Sequence, residues 1–291
     1  MSDQSILFPN LHITLEHVGK NISIGGFSIA YYGIIIACGM ILAMYLMLHE
    51  AKRVGIKQED MLDIFIYAVI VGVVGARLYY VMFSWDLYKD NLVSIFFLRQ
   101  GGLAIYGGVI GGLIAIFITC RIKKINFWKV TDLAAMGVLV GQICGRWGNF
   151  FNREVFGGYS DGLLAMGLPL DAIRSMEDVT EEMLQNLLVV DGVEFITVHP
   201  TFLYESLWNL GVLLFLLWYR KHQKFYGELF SFYLLLYGIG RFWIEGVRTD
   251  QLKIPGTMIP VSQVVAIIMI IGAFCYMVFM RKTHKQDLPT S

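Results

Sequence analysis

Residues 130–157 read VTDLAAMGVLVGQICGRWGNFFNREVFG, and the change of character inside that stretch decides the fold class. Its first half is an apolar run. Its second half, Gly145-Arg146-Trp147-Gly148-Asn149-Phe150-Phe151-Asn152-Arg153-Glu154-Val155-Phe156-Gly157, sets arginine, asparagine and glutamate at the end of that run, punctuated by glycine. Ionisable groups at a membrane boundary are costly and mark function by default.

The rest of the chain agrees with a membrane setting. It is 56% hydrophobic and 16% charged, where soluble domains carry about 25% charged residues. The formal net charge is +0, so nothing points to nucleic acid. Runs of roughly 20 apolar residues predict spans near Phe27–Leu48, Met61–Phe83, Gly101–Cys120, Val130–Cys144, Pro200–Tyr219, Tyr226–Ile244 and Ile259–Met280. The fourth is short, ended early by Gly145 and Gly148. The fold class is therefore an all-α integral membrane protein, a bundle of seven transmembrane helices. The four residues Ile95–Leu98 are too short to span and leave room for a re-entrant segment.

Basic clusters orient the chain. Lys52, Arg53 and Lys57; Arg121, Lys123, Lys124 and Lys129; Arg220, Lys221 and Lys224; and Arg281, Lys282 and Lys285 fall in one set of loops, expected to be cytoplasmic. The N-terminus is then outside and the C-terminus inside. The organisation expected is an extracytoplasmic arm (1–26), spans one to four (27–152), a small acidic head (153–198), spans five to seven (199–280) and a cytoplasmic tail (281–291). No signal peptide is evident, because the first apolar run is long enough to span. Cys38, Cys120, Cys144 and Cys275 lack metal-ligand spacing and read as small packing residues. No metal or cofactor is implied.

This orientation brings polar groups from several spans to one depth. Tyr31, Tyr32, Arg77, Tyr106, Arg146, Asn149, His199, Tyr204, Glu205, Tyr237, Arg241, Glu245, Arg248 and Gln263 all fall within roughly 10 Å of the external boundary at 1.5 Å per helical residue. Tyr237, Arg241, Glu245 and Arg248 share one helix face. Arginines outnumber carboxylates there, so a positive chamber is expected. An internal ion pair that fixes packing also fits Glu245. Arg146 and Arg241 suit an anion, because the guanidinium fork pairs bidentately with phosphate. Asn149 and Asn152 could cap a helix end or donate to substrate. His199 before Pro200 could be structural, and Tyr31 a belt residue. Gly107-Gly108 and Gly111-Gly112 suit close helix packing, and Gly101-Gly102 could break a re-entrant segment.

The pattern G-R-x-G-N-F-x-N-x-E-x-x-G at 145–157 resembles the signature of the bacterial prolipoprotein diacylglyceryl transferases. Tyr32-Gly33, Gly75-Ala76-Arg77, Gly101-Gly102 with Gly107-Gly108, His199-Pro200 with Leu203-Tyr204-Glu205, Tyr237-Gly238, Arg241, Glu245 and Arg248 extend the resemblance from about Tyr31 to Gln263. It implies a seven-span fold with an external head. It implies transfer of a diacylglyceryl group from phosphatidylglycerol to the lipobox cysteine of a prolipoprotein signal peptide, at the outer leaflet of the bacterial inner membrane. Arg146 and Arg241 would be the essential arginines, with Tyr32 and Tyr106 completing the catalytic set. Arg77, Asn149, Asn152, Glu154, His199, Tyr237, Glu245 and Arg248 would bind substrate. Some family members carry histidine where Tyr106 stands, so a histidine base is not available at that position here. A transporter or flippase for an anionic lipid or solute would use the same chamber, but the chain shows no repeat and its polar groups lie at one side. An intramembrane protease would need an Asp-Asp, Ser-His or H-E-x-x-H arrangement that the spans lack.

Overall fold

A computed structural model describes residues 5–97 and 101–283. Among these, seven helices of 19 or more residues dominate: α1 (Tyr31–Arg53), α2 (Gln58–Phe83), α3 (Ile105–Lys123), α4 (Phe127–Asn152), α6 (Thr201–Tyr219), α7 (Glu228–Val247) and α8 (Val261–Thr283). A short helix, α5, occupies Glu181–Gln185. All the long helices except α7 are long and apolar enough to cross a membrane. The chain is a multi-pass membrane protein on this count. The helix that falls short, α7, carries Glu228 at its start and Arg241 and Glu245 near its end.

The chain divides into two compact units. Residues Met44–Ala134 form one, and Met1–Ala43 with Ala135–Ser291 form the other.

In the smaller unit, α2 and α3 meet backbone to backbone. A Cβ at Gly75 would lie 2.6 Å from the Gly107 carbonyl oxygen, and one at Gly111 would lie 2.6 Å from that of Val71. Small residues permit this approach where lipid offers no hydrophobic drive for helix association. The close-packing expectation for Gly107 and Gly111 is met. Gly101 and Gly102 differ, with φ of 85° and 79° in the left-handed region. They form a loop rather than a helix contact. Of the expected re-entrant residues Ile95–Leu98, Leu98 lies outside the described set, and Leu92–Phe96 form a 3-10 turn.

The larger unit corrects the all-α expectation. It holds a five-stranded antiparallel sheet in the order β2-β1-β5-β7-β6, built from β1 (Ile6–Phe8), β2 (Ile13–Leu15), β5 (Met166–Pro169), β6 (Leu188–Val190) and β7 (Val193–Val198). A hairpin of β3 (Asn21–Ile24) and β4 (Phe27–Ala30) stands apart from it. Tight turns explain both. Asp191-Gly192 and Gly25-Gly26 adopt positive φ at both positions, as a two-residue hairpin demands. Ile6, Met166, Leu168, Ile196 and Val198 from the sheet pack with Phe150, Phe156, Met183 and Phe202 in one core, which seats the sheet on the ends of α4 and α6.

Two helix limits also differ from expectation. α1 begins at Tyr31 rather than Phe27, because Phe27–Ala30 is a strand. α4 does not stop at Cys144 but runs to Asn152, so most of the signature is helical. Glycine costs a helix about 1 kcal/mol, yet here it admits a neighbour. A Cβ at Gly148 would meet the Tyr32 ring of α1 at 2.5 Å. One at Gly39 of α1 would meet Cys144 Cβ at 2.9 Å.

Candidate active site

Glu205 organises the site. It lies one turn into α6, is 2% exposed, and draws arginines from two other elements. Arg241 of α7 donates to its Oε1 at 3.1 Å. Nε of Arg146, from α4, stands 2.9 Å from its Oε2. That second contact is an ion pair rather than an aligned hydrogen bond, since Oε2 has no hydrogen-bond donor among the described residues. Arg248, just beyond the end of α7, approaches Oε1 at 3.8 Å.

The three arginines are committed to different degrees. Arg248 spends its fork on Asp250, with contacts of 2.9 and 2.7 Å to the two carboxylate oxygens. Arg241 divides its two terminal nitrogens between Glu205 and Glu245. Arg146 makes the ion pair and one long bond of 3.3 Å, to Asn149 Oδ1. The side chains of Arg146 and Arg241 stay 20% and 14% exposed. These are the two more exposed arginines of the cluster; Arg248, at 11%, keeps its Nη1 between Glu205 and Glu245.

Charge is balanced, which corrects the expected positive chamber. Arg146, Arg241 and Arg248 face Glu205, Glu245 and Asp250. The sequence reading passed over Asp250, whose signal was its place two residues after Arg248. Carboxylates here aim the guanidinium forks instead of leaving net charge.

The signature turns sharply at its end. Arg153 and Val155 take φ of 54° and 60°. A β-branched residue there is a backbone outlier of the kind that clusters at functional sites. The turn presents Glu154 back toward the helix, where Asn149 and Asn152 each donate to Oε1 at 3.0 Å. Arg174 from the sheet region pairs with Oε2. The two asparagines therefore neither cap α4 nor stand open to substrate. Asn149 links Arg146 to Glu154. Gly157 and Gly158 then thread between two chain segments. Gly157 N–H donates to the His199 carbonyl at 3.0 Å and Gly158 N–H to that of Val247 at 2.9 Å. A Cβ on Gly157 would strike His199 and Val247, both under 3 Å. This zipper ties the end of the signature to the start of α6 and the end of α7.

Charges outside the helices respond to this crowding. Burial, then the Arg153 and Arg174 charges, lower the pKa of Lys20, whose Nζ donates to the Ala172 carbonyl at 2.9 Å. Burial, then Asp250 and Glu177, raise that of Asp178.

The remaining candidates sort by unit. Tyr32 covers Gly148. Tyr237 lies one turn before Arg241 and stacks on Tyr233 with centroids 5.5 Å apart. The His199 ring nitrogen Nδ1 stands 3.2 Å from the Tyr204 hydroxyl, a structural engagement. Gln263 donates to the Phe242 carbonyl at 2.9 Å. In the smaller unit, Tyr106 opens α3, exposed and beside Tyr79. Arg77 is buried there, and backbone carbonyls occupy it. It donates to Ile95 at 2.7 Å, Ser94 at 2.9 Å, Gly101 at 2.8 Å and Gly102 at 2.9 Å. Arg77 thus holds the loop between α2 and α3 through its backbone.

The opposite end of α7 is not bare either. At the start of α7, fully buried Glu228 accepts from Arg281 of α8 at 2.6 and 2.9 Å, from the Tyr219 hydroxyl at 3.3 Å and from the Lys224 N–H at 2.6 Å. The one-sided polarity read from the sequence missed this group.

Comparison with known proteins adds an independent line. The sequence model of a family described as Prolipoprotein diacylglyceryl transferase matches residues 20–279. A phosphatidylglycerol–prolipoprotein diacylglyceryl transferase of Clostridioides difficile (strain 630) is 44% identical over 263 residues, covering 90% of this chain and 95% of that protein. Proteins of the same name from Bacillus cytotoxicus and Oceanobacillus iheyensis are 40% and 39% identical. They cover 91% and 90% of this chain, and 93% and 88% of their own lengths.

Proposed function

The chain belongs to the prolipoprotein diacylglyceryl transferase family, and from that premise we propose how its residues carry the reaction. It is an enzyme that transfers the diacylglyceryl group of phosphatidylglycerol to a prolipoprotein. In this reading the acceptor is the lipobox cysteine of the signal peptide. The thiolate attacks the glycerol carbon that bears the phosphate. A thioether bond forms, the carbon–oxygen bond breaks, and its electron pair leaves on glycerol 1-phosphate.

The observation that carries this is the Glu205-held pair of partly exposed arginines, Arg146 and Arg241. Charge builds on the departing phosphate in the transition state. Donors already aimed at it act most strongly in a partly dehydrated site. A free thiol has a pKa of about 8.5, so a base is needed at neutral pH. Tyr32 and Tyr106 are the candidates. Tyr237, Asn149, Glu154, Glu245 and Arg248 hold the arginines and the signature in place around the lipid.

The setting belongs to the same proposal. All seven long helices span the bacterial inner membrane, with the N-terminus and the sheet outside and the site at the outer leaflet. The basic clusters at the opposite loops support this orientation.

One assay tests the reaction. Purified protein is mixed with phosphatidylglycerol and a lipobox peptide, and the peptide is weighed. The cysteine peptide should gain one diacylglyceryl group, and the serine peptide none. Lipid crossing a bilayer while the peptide never changes mass would establish a transporter instead.

A further inference from the structure

Arg77 raises a question that the reaction does not answer. It uses Nε and both terminal nitrogens on four backbone carbonyls, and its guanidinium also lies 5.1 Å from the centre of the Tyr88 ring. Such saturation of a buried cation fixes a loop very firmly. The loop so held, residues 84–97, joins α2 toward α3 and contains 3-10 turns at Trp85–Leu87 and Leu92–Phe96.

Its side chains divide by character. Ser94 and Ile95 turn their carbonyls to Arg77, and Tyr88 is buried against it. The large apolar groups Trp85, Leu87, Leu92, Val93, Phe96 and Phe97 point away and are exposed, Phe96 by 81% and Leu87 by 70%. Val93 and Phe96 are three apart, so in a 3-10 turn they share one side. The polar members Lys89, Asp90 and Asn91 fall together between the two turns, and Asp86 lies in the first. Asp86 and Lys89 pair at 2.8 Å.

We propose that residues 84–97 form a wedge, clasped by Arg77, whose apolar side seats in the lipid interface. The occupant is the bilayer, because the patch is continuous with the lipid-facing residues that end α2. Met82 and Phe83, on the last turn of that membrane helix, are 65% and 69% exposed. A soluble surface rarely leaves so many large apolar side chains together. Exposed apolar groups with segregated charges are the mark of an element lying in the headgroup boundary. The positive-φ glycines Gly101 and Gly102 belong to the same device. A Cβ at Gly102 would collide with Arg77 and come within 2.9 Å of the Tyr80 ring. The glycine pair is thereby explained by the clasp.

The test places an environment-sensitive fluorophore on Phe96→Cys or Lys89→Cys, in a full-length chain whose four native cysteines are alanine. The protein is reconstituted in vesicles of phosphatidylglycerol and phosphatidylcholine containing a spin label high on the acyl chain. The probe at 96 should be quenched by the spin-labelled lipid and shielded from aqueous iodide several-fold better than the probe at 89. Arg77→Lys keeps the charge but not the planar fork. It should raise iodide access at 96 several-fold while leaving the probe at 89 unchanged. Equal iodide access at 96 and 89 overturns the wedge. So does shielding at 96 that appears only when a lipobox peptide is added, which would make this face a peptide-binding surface. Lipid quenching at 96 that is the same with Arg77 and with Arg77→Lys overturns the clasp.

Discussion

A buried glutamate sits beside each end of α7, Glu228 at its first residue and Glu205 of α6 against Arg241 near its last turn, and the two are built to opposite ends. Glu228 has both oxygens hydrogen-bonded, by Arg281, Tyr219 and the Lys224 backbone. It meets one arginine, and nothing about it is left over. Glu205 faces three arginines, and its Oε2 lacks an aligned donor. A saturated group holds helices together. An unsaturated one, faced by two partly exposed arginines, is arranged for something that arrives later. Buried charge alone therefore does not identify a site. At Glu205 the candidate is marked by incomplete hydrogen bonding together with the two partly exposed arginines that face it.

The largest effect expected from this contrast is on turnover. Arg146→Lys keeps the charge but cannot form the bidentate fork. Loss of one such donor from a transition-state site costs on the order of 10²–10³ in rate. Arg241→Ala should be at least as damaging. Arg146→Lys should melt within a few degrees of wild type, whereas Arg241→Ala, which takes a partner from buried Glu205 and Glu245, should melt lower and is compared per folded molecule. A folded Arg146→Lys enzyme turning over at the wild-type rate would remove the phosphate-clamp reading and erase the contrast.

Next comes stability at the opposite end. Glu228→Ala leaves Arg281 and the Lys224 N–H without their acceptor. Breaking a buried pair costs about 3–5 kcal/mol, and because the Arg281 side chain is 40% exposed the expected loss is about 1–3 kcal/mol after screening. Thermal melting in detergent should show the drop, while the rate per folded molecule stays near normal. A large loss of rate in stable Glu228→Ala protein would mean the Glu228 cluster also serves the reaction.

The helices were legible because apolar length acts through composition, and no packing detail is needed. Arg146, Arg241, Glu205 and Glu245 were legible because ionisable groups at helix ends are conspicuous in apolar surroundings. The sheet was not, although Asp191-Gly192 is a hairpin signal, because its strands are three to six residues long. Strands that short show little alternation. Charge balance was missed for a related reason. Asp250 lies outside α7 and folds back on Arg248, which is a matter of backbone path and not of helical spacing. The carbonyl partners of Arg77 were not legible, because a buried arginine reads alike whether carbonyls or phosphates satisfy it.

A sharper comparison comes from Gly148. Alanine there should favour the helix by up to about 1 kcal/mol, yet its Cβ would displace the Tyr32 ring. If Tyr32 acts on substrate, Gly148→Ala should melt no lower than wild type and turn over roughly tenfold more slowly, about 1.4 kcal/mol of barrier. Equal or higher turnover would leave Tyr32 a lipid-facing cover for the helix.

The smallest effect concerns Asp178, which burial and then the charges of Asp250 and Glu177 push above the ordinary carboxylate range. It lies on the Arg248–Asp250 side of the active end, and Glu228 has no counterpart to it. A carboxyl whose folded pKa is raised favours the fold when protonated. That contribution is complete below the ordinary value of about 3.9 and is lost as pH rises through the raised one. At neutral pH the ionised group is therefore a small liability. Asp178→Asn should raise the melting temperature at pH 7 by a degree or two, from well under 1 kcal/mol. The gain should shrink as pH falls toward the ordinary carboxylate range. Turnover should change little, because Asp178 has no bond to Arg146 or Arg241 among the described contacts. A gain that persisted unchanged down to the ordinary carboxylate value of about 3.9 would mean that the asparagine stabilises through packing. The strained carboxylate at the active end would then lose its part in the contrast.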